Sequence, residues 1–432
     1  MQMAQTKNDK AWNKIFKEYN ILVEIDKDGY YIIEASSIRK YREPRLMCKF
    51  DHENNLPDIF KENNLSILPI SRSKYIIGSF QMFADVTYKK MEPVELNIPY
   101  TIQTIDAKNL YSESSSLHFA YHSGMIDDFL GEETKHTVSN RMGSGKFKFR
   151  IWNGVGHTLI NVESAQIEID GGYEGRTKFA VIEAKNETVT DFNVRQLFYP
   201  YRVWKNKIDK DVVPVFFTYS NDKFSFFMYE FSNEETFNSF KLIKQKDYII
   251  PHESITIKDI DAVVQNATEF VPEPEVPFPQ ADKFKKVVDL LGFLYDRDIN
   301  KQEISDLFDF HKRQSDYYAN SCIYLGLAES YSLGKDTYIA LNEEGRRVME
   351  LPFRQKYLTL AEKILQHKIF KEIYDETVKI ESTKKKGRKI VPTHFIISRM
   401  KYHKLYHISK ESTFGRRAST IRGWVRWIRE LP

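Results

Sequence analysis

The sequence predicts an α/β (α+β) body built on a mixed sheet, followed by a mainly α-helical region. Two observations carry this reading. First, short runs rich in Val, Ile, Phe and Tyr at 30–33, 146–152, 166–170, 179–184, 213–219 and 223–229 read as strands. Helix-patterned stretches at 10–19, roughly 119–130 and 191–207 interrupt them. Second, "VPEPEVPFPQ" (271–280) sets prolines 272, 274, 277 and 279 among acids and apolar residues, which neither a helix nor a central strand can contain. Beyond it the apolar residues Val287, Val288, Leu290, Leu291 and Leu294 recur at helical spacing.

Composition agrees with a folded chain. Of 432 residues, 41% are hydrophobic, 29% charged and 14% aromatic, enough for two or three domains. No apolar run approaches the roughly 18 residues of a membrane span. The opening "MQMAQTKNDKAWNKIF" is polar and has no signal-peptide character. Cys48 and Cys322 lie far apart, which excludes a disulfide framework or a cysteine-rich zinc site. A cytoplasmic protein is expected. The net charge of +4 conceals an asymmetry: residues 353–432 hold 20 Lys/Arg against 7 Asp/Glu, and the rest of the chain 44 against 53. A basic end on a slightly acidic body suits a polyanion binder.

The expected divisions are an N-terminal α/β segment (1–100), for which DNA recognition is one reading, a central core (101–270), a Pro-rich linker (271–281), a first helical domain (282–350) and a basic helical region (351–432). The first hundred residues mix turn signals, bases and acids, and their pattern assigns them no chemistry.

The chemistry-bearing stretch is "IEIDGGYEGRTKFAVIEAKN" (167–186). Residues 166–170 alternate as a half-buried strand does, and "GGYEGRT" supplies three glycines for a turn. A second strand follows directly, so an antiparallel hairpin is predicted, with Glu183 and Lys185 on one face of the second strand and Ala184 turned away. Two carboxylates, Asp170 and Glu183, suit a hard divalent cation, Mg²⁺, with the Ala184 carbonyl as a further ligand. Such a metal polarises a phosphodiester and lowers the pKa of a bound water, while Lys185 orients that water and offsets charge on the phosphate.

Asp170, twelve intervening residues and Glu183-Ala184-Lys185 resemble the D-x(n)-E-x-K core of the PD-(D/E)XK nuclease superfamily, although Ile169 stands where many members have proline. Thr190 or Asp191 is expected to cap a following helix with Val194, Leu197, Phe198 and Tyr201 on one face. The superfamily often carries a glutamine followed by a tyrosine on that helix. Gln196 with Tyr199 matches this, and Arg195 is positioned to reach a backbone phosphate. The resemblance also implies a further acid on an upstream helix. Asp127, Asp128, Glu132 and Glu133 are available, and Glu133 is the choice.

"GSGK" (143–146) resembles a phosphate loop, but Phe147 follows the lysine and a strand follows in place of a helix, which excludes an NTPase. Arg141 and Lys146 remain candidates for phosphate contacts. His403 and His407 stand four apart without a third ligand.

Residues 282–345 read as three helices (about 282–296, 301–308 and 311–325) and a hairpin tipped by Gly334-Lys335. This order resembles a winged helix, whose third helix enters the major groove. Lys312, Arg313, Gln314, Ser315, Tyr317 and Asn320 are its candidate DNA contacts. The run "STKKKGRK" (382–389) is basic. A last helix, capped at Ser412 or Thr413, carries Ile421, Trp424, Val425 and Ile428 on its apolar stripe and Arg416, Arg417, Ser419, Thr420 and Arg422 as candidate DNA contacts. Its tryptophans read as core.

Together these features resemble a type II restriction endonuclease. The resemblance implies Mg²⁺-dependent, sequence-specific cleavage of both strands of duplex DNA, a homodimer, and a cognate DNA methyltransferase. A modification-dependent or repair endonuclease shares the same centre, and a non-catalytic DNA-binding regulator is the competing class.

Overall fold

The structure is a computed structural model describing residues 6–99, 101–107, 110, 112–250, 254–308, 312–382, 390–406, 408 and 411–431. The N-terminal unit opens with α1 (Lys7–Glu18), whose start is fixed by a reciprocal Thr6–Asp9 capping box. There follow α2 (Ile21–Asp28), β1 (Tyr30–Glu34), α3 (Ala35–Arg39), α4 (Pro44–Cys48), α5 (Asp58–Glu62), β2 (Ser66–Pro69) and β3 (Lys74–Gly78). The three strands form an antiparallel sheet in the order β1-β3-β2. Trp12, Phe16, Phe60 and Ile77 centre its core, and the Trp12 indole donates to the Met47 carbonyl at 2.9 Å.

The central unit holds β4 (Phe83–Asp85), β5 (Val94–Glu95), α6 (Glu113–His122), α7 (Met125–Leu130), β6 (Lys135–Gly143), β7 (Lys146–Trp152), β8 (His157–Glu163), β9 (Gln166–Glu174), β10 (Lys178–Lys185), β11 (Asp191–Asn193), α8 (Arg195–Lys205), β12 (Asp211–Ser220), β13 (Lys223–Phe231) and β14 (Phe240–Ile249). Seven strands make one sheet in the order β5-β14-β13-β12-β10-β9-β6. β10 runs parallel to β12 through the α8 crossover, and β5 runs parallel to β14. The other pairs are antiparallel, so the sheet is mixed.

Its central strands β10, β12 and β13 are buried on both faces, and period 2 divides β10 between two cores. Phe179 and Val181 join Leu197, Phe198 and Tyr199 of α8 and Phe149 of the β7–β8 hairpin. Ala180, Ile182 and Ala184 join Leu117 and Phe119 of α6 and Phe129 of α7. At roughly 25 cal/mol per Å² of apolar area, burial of this kind is the main driving force for the layering.

The last unit contains α9 (Ile257–Asn266), α10 (Phe284–Asp296), β15 (Ile299–Asn300), α11 (Lys301–Leu307), α12 (Lys312–Tyr324), β16 (Ala328–Leu333), β17 (Asp336–Leu341), α13 (Glu343–Met349), α14 (Phe353–Leu365), α15 (Lys368–Ser382), α16 (Thr393–Tyr402) and α17 (Glu411–Arg429). β15, β17 and β16 form a small antiparallel sheet in that order. No helix among the described residues is long and apolar enough to cross a membrane.

Several local expectations are corrected. The expected helix at 119–130 is two helices, broken where Gly124 adopts φ +79°. Gly171 and Gly172 lie inside β9 and not in the turn. A Cβ on Gly171 would stand 2.5 Å from the Tyr173 ring, and one on Gly172 would stand 2.8 Å from Val138. Close packing, not positive φ, therefore requires glycine there. Asp191 lies in β11 and does not cap α8, whose N-cap is Val194.

The unit boundaries also move. β4 pairs with β11 and β5 with β14, so residues 83–95 belong to the central unit. Ile260 of α9 packs into the C-terminal core, placing the second boundary before the proline-rich stretch. That stretch is itself docked: Phe278 is buried and stacks on Phe370, and the Tyr324 hydroxyl donates to Glu273 at 3.1 Å. The run 383–389 and His407 lie outside the described residues.

Candidate active site

The β9–β10 pairing runs from Phe179↔Glu174 to Ile182↔Gly171, leaving Asp170 and Glu183 one step beyond the last pair. Here the strands part, and the Ala184 N–H donates to Asp170 Oδ2 at 2.7 Å. Glu183 is 6% exposed. Its Oε1 accepts from Lys185 Nζ at 2.8 Å and from the Gln196 side-chain amide. Gln196 sits in the first turn of α8, so the helix that packs under Phe179 and Val181 also delivers a donor to Glu183. Asp170, Glu183, Lys185, Gln196 and Arg195 thus converge at the floor of one cleft of ≈ 460 Å³.

The opposite wall comes from the N-terminal unit, which contributes Arg45, Lys49, Asp51 and Arg72. Lys185 Nζ lies 3.6 Å from Asp51 Oδ2. Lys185 also borders a second opening of ≈ 400 Å³, which reaches Phe293 and Arg297 of the C-terminal unit.

Electrostatics follow from burial and crowding. Burial, then the nearby Glu113 carboxylate, pushes Asp170 up to about 6 against the pull of Lys185 and the Ala184 N–H. Glu183 is pushed up to about 7, chiefly by burial, although Lys185 opposes the shift. Burial also raises Glu113, a residue that opens onto the water of the cleft yet has protein on most sides. Burial works against the Lys185 ammonium, but the surrounding carboxylates, Glu183 first, raise its pKa well above the ordinary value.

Four carboxylates therefore share one lysine. Among the described residues no three His, Cys, Asp or Glu side chains form a ready-made metal cage. A Mg²⁺ site does not need one, because this ion keeps several waters and takes one or two carboxylates. The chemistry of the donor set fits such an ion: all the donors are hard oxygens, two of them belong to acids that burial penalises, and Gln196 Oε1 is buried without a hydrogen-bond partner. Ala184 is fully buried between the two acids.

Glu133 is not part of this site. It is exposed in the segment between α7 and β6 and pairs with Lys135. The neighbouring acids are structural: Asp127 accepts from the Thr134 hydroxyl at 2.6 Å, Asp128 from the Tyr248 hydroxyl at 2.6 Å, and Glu132 from the Lys178 N–H at 2.8 Å. The upstream acid in the cleft is Glu113, at the first turn of α6 behind the Ser112 cap. Its sequence signal was the Ser112-x-x-Ser115 cap, which fixes a helix start without revealing which way the next residue points.

Arg141 lines the cleft and pairs with Glu168 at 3.2 Å. Lys146 does not line it. It is exposed on the β7–β8 hairpin, 3.5 Å from Glu163. Tyr199 is core, its hydroxyl donating to the Pro69 carbonyl at 3.0 Å.

In the C-terminal unit the side chains of Lys312, Arg313 and Ser412 lie outside the described residues. Gln314 is exposed, while Tyr317 and Asn320 are half-buried. Ser315 and Thr420 are fully buried and present nothing to a base edge. Arg417 donates to Gln280 Oε1 at 2.5 Å, and Arg422 donates to the Val391 carbonyl at 2.9 Å and to Thr393. Both arginines tie α17 to its neighbours. Arg416 and Ser419 remain on the surface. Trp424 and Trp427 are buried, and the Trp424 indole donates to Ala281.

Three family models match the chain, each a domain of unknown function: DUF6996 over residues 9–77, DUF6997 over 78–249 and DUF7226 over 286–432. No curated protein and no solved structure matches it. The cleft lies between the first two matched segments, with Asp51 on one side and Asp170, Glu183 and Lys185 on the other.

Proposed function

We propose that the chain is a Mg²⁺-dependent, site-specific deoxyribonuclease of the type II restriction kind, with a PD-(D/E)XK-like core and a winged-helix-like DNA-reading region. The observation that carries this reading is the convergence of Asp170, Glu183, Lys185 and Gln196 on one cleft floor beneath a rim of arginines and lysines. A structural ion pair would not gather four carboxylates around a single buried lysine, because each further acid raises the cost of burial.

In this reading Asp170, Glu183 and the Ala184 carbonyl would hold the metal, and Glu113 would offer a further carboxylate oxygen. The bound ion supplies Lewis-acid polarisation of the phosphate and an activated water. Lys185 presents its ammonium to that water and to the charge developing on the phosphate. Gln196 fixes the Glu183 carboxylate through its amide. Arg195 and Arg141 from the central unit, with Arg45 and Arg72 from the N-terminal unit, grip flanking phosphates and hold the strand in register. Arg416, Ser419, Gln314, Tyr317 and Asn320 are the accessible candidates for reading bases. One centre cuts one strand, so a homodimer serves double-strand cleavage. A cognate methyltransferase would shield host sites, and the setting would be cytoplasmic.

Incubating the full chain with unmodified phage DNA, in Mg²⁺ or in EDTA, tests the proposal. Discrete fragments in Mg²⁺ alone, with 5′-phosphate and 3′-hydroxyl ends at one recurring sequence, support it. Intact DNA under both conditions, for methylated and unmethylated substrates alike, contradicts it.

A further inference from the structure

Apolar residues of "REPRLMCKFDHENNLPDIFKENNLSILP" (42–69) serve packing, with Met47, Phe50, Leu56 and Phe60 buried in the N-terminal core. Asp51 does not belong to that core. It leaves its own unit and enters the cleft of the next. We propose that Asp51 is a positioning residue of the active site, holding the Lys185 ammonium in place from across the boundary between the two units. This rests on the nuclease reading.

Geometry gives the first argument. Lys185 Nζ is held on one side by Glu183 Oε1 at 2.8 Å and faces Asp51 Oδ2 at 3.6 Å on the other. Were Glu183 its sole counter-ion, the ammonium would compete with a cation for that carboxylate. A second acid shares it and leaves Glu183 available.

The placement of Asp51 is also built. His52 Nδ1 lies 2.7 Å from the Asp191 carbonyl oxygen and 3.0 Å from its Oδ1, the Glu53 N–H donates to Asp191 Oδ2 at 2.8 Å, and the Asn193 amide donates to the Phe50 carbonyl at 2.9 Å. The residues on either side of Asp51 are therefore fastened to β11. Asp51 Oδ1 is buried with no hydrogen-bond partner, a state packing alone would not maintain. Burial alone would raise this carboxyl, yet it is held below its ordinary range, by Lys185 first and then by Lys49, Arg195 and His52.

The test is a double-mutant cycle on the full chain, comparing wild type, Asp51→Asn, Lys185→Ala and the double variant, with Mn²⁺ binding measured by calorimetry and DNA cleavage measured separately. Asp51→Asn is expected to weaken Mn²⁺ binding about 10-fold when Lys185 is present and under about 2-fold when it is absent, a coupling typical of contacting residues. The same variant is expected to lower kcat about 10- to 100-fold with KM for DNA unchanged, as the loss of a supporting group does. Equal losses of Mn²⁺ affinity in both backgrounds, or an unchanged kcat, overturn the assignment. If wild type and Glu183→Gln bind Mn²⁺ equally poorly, the nuclease reading fails first and takes this one with it. If Asp51→Asn does not fold, Asp51→Glu decides: retained affinity within about 3-fold supports the role, and a 10-fold loss overturns it.

Discussion

At the scale of single residues, the cleft sets Asp170, Glu183, Glu113 and Asp51 around one ammonium, that of Lys185. Glu183 and Lys185 were readable because period 2 puts them on one face of a strand whatever the rest of the fold does. Glu113 was not, since only the packing of α6 against β9 and β10 turns its side chain into the cleft. Glu133 was attractive by position and is excluded by exposure and its Lys135 partner. The two acids therefore separate sharply by experiment. Glu113→Gln is expected to reduce Mg²⁺-dependent cleavage about 10- to 100-fold, the usual cost of losing a group that supports a metal centre. Glu133→Gln is expected to cleave as wild type does. Steady-state rates on one plasmid substrate check both.

Individual elements show where local pattern succeeds and where tertiary contact takes over. The β9–β10 hairpin was readable from alternation and apolar runs, but the role of its glycines was not. Their constraint is the Tyr173 ring and Leu117 against Gly171, and Val138 and Phe179 against Gly172, contacts made by distant residues. Gly171→Ala is expected to destabilise the protein by about 1–3 kcal/mol through overpacking, read as a lower denaturation midpoint with unchanged slope. The proline-rich stretch was legible as extended chain, and prolines do fix that. Nothing local revealed that Phe278 would stack on Phe370 and meet the Tyr324 ring edge-on. Phe278→Ala is expected to cost about 3–5 kcal/mol in urea or guanidinium unfolding, as for a large buried aromatic. A freely flexible linker would show almost no effect.

Across the whole molecule, the charge asymmetry was plain in the sequence, but its use was not. Part of the basic surplus holds the C-terminal unit together, through Arg354–Asp259 at 2.5 Å and Arg399–Glu372 at 2.6 Å, and part ties it to the central unit, through Lys356–Asp222 at 3.0 Å. The mixed sheet and helical end were legible; a cleft shared between two units was not, because no local pattern encodes contact between Asp51 and Lys185.

The C-terminal unit should also be acid-sensitive. Burial against Tyr324 keeps His367 neutral and lowers its pKa to about 3 from 6.5. The unfolded chain therefore takes up the proton first. Stability is full above pH 6.5 and drains as pH falls toward 3, by roughly 2 kcal/mol between pH 6.5 and 5. Denaturation at pH 7 and pH 5 for wild type and His367→Gln checks this, the variant losing less.

The measurement that bears most directly on the account compares wild type with Asp170→Ala on the same DNA, scoring binding in Ca²⁺ and cleavage in Mg²⁺. The account predicts binding within about 3-fold of wild type and cleavage reduced by about 10³-fold or more, the scale of losing a principal electrostatic group. Equal cleavage by both proteins would contradict it by removing Asp170 from the chemistry, and no cleavage by either with binding intact would contradict it and leave a DNA-binding regulator in its place.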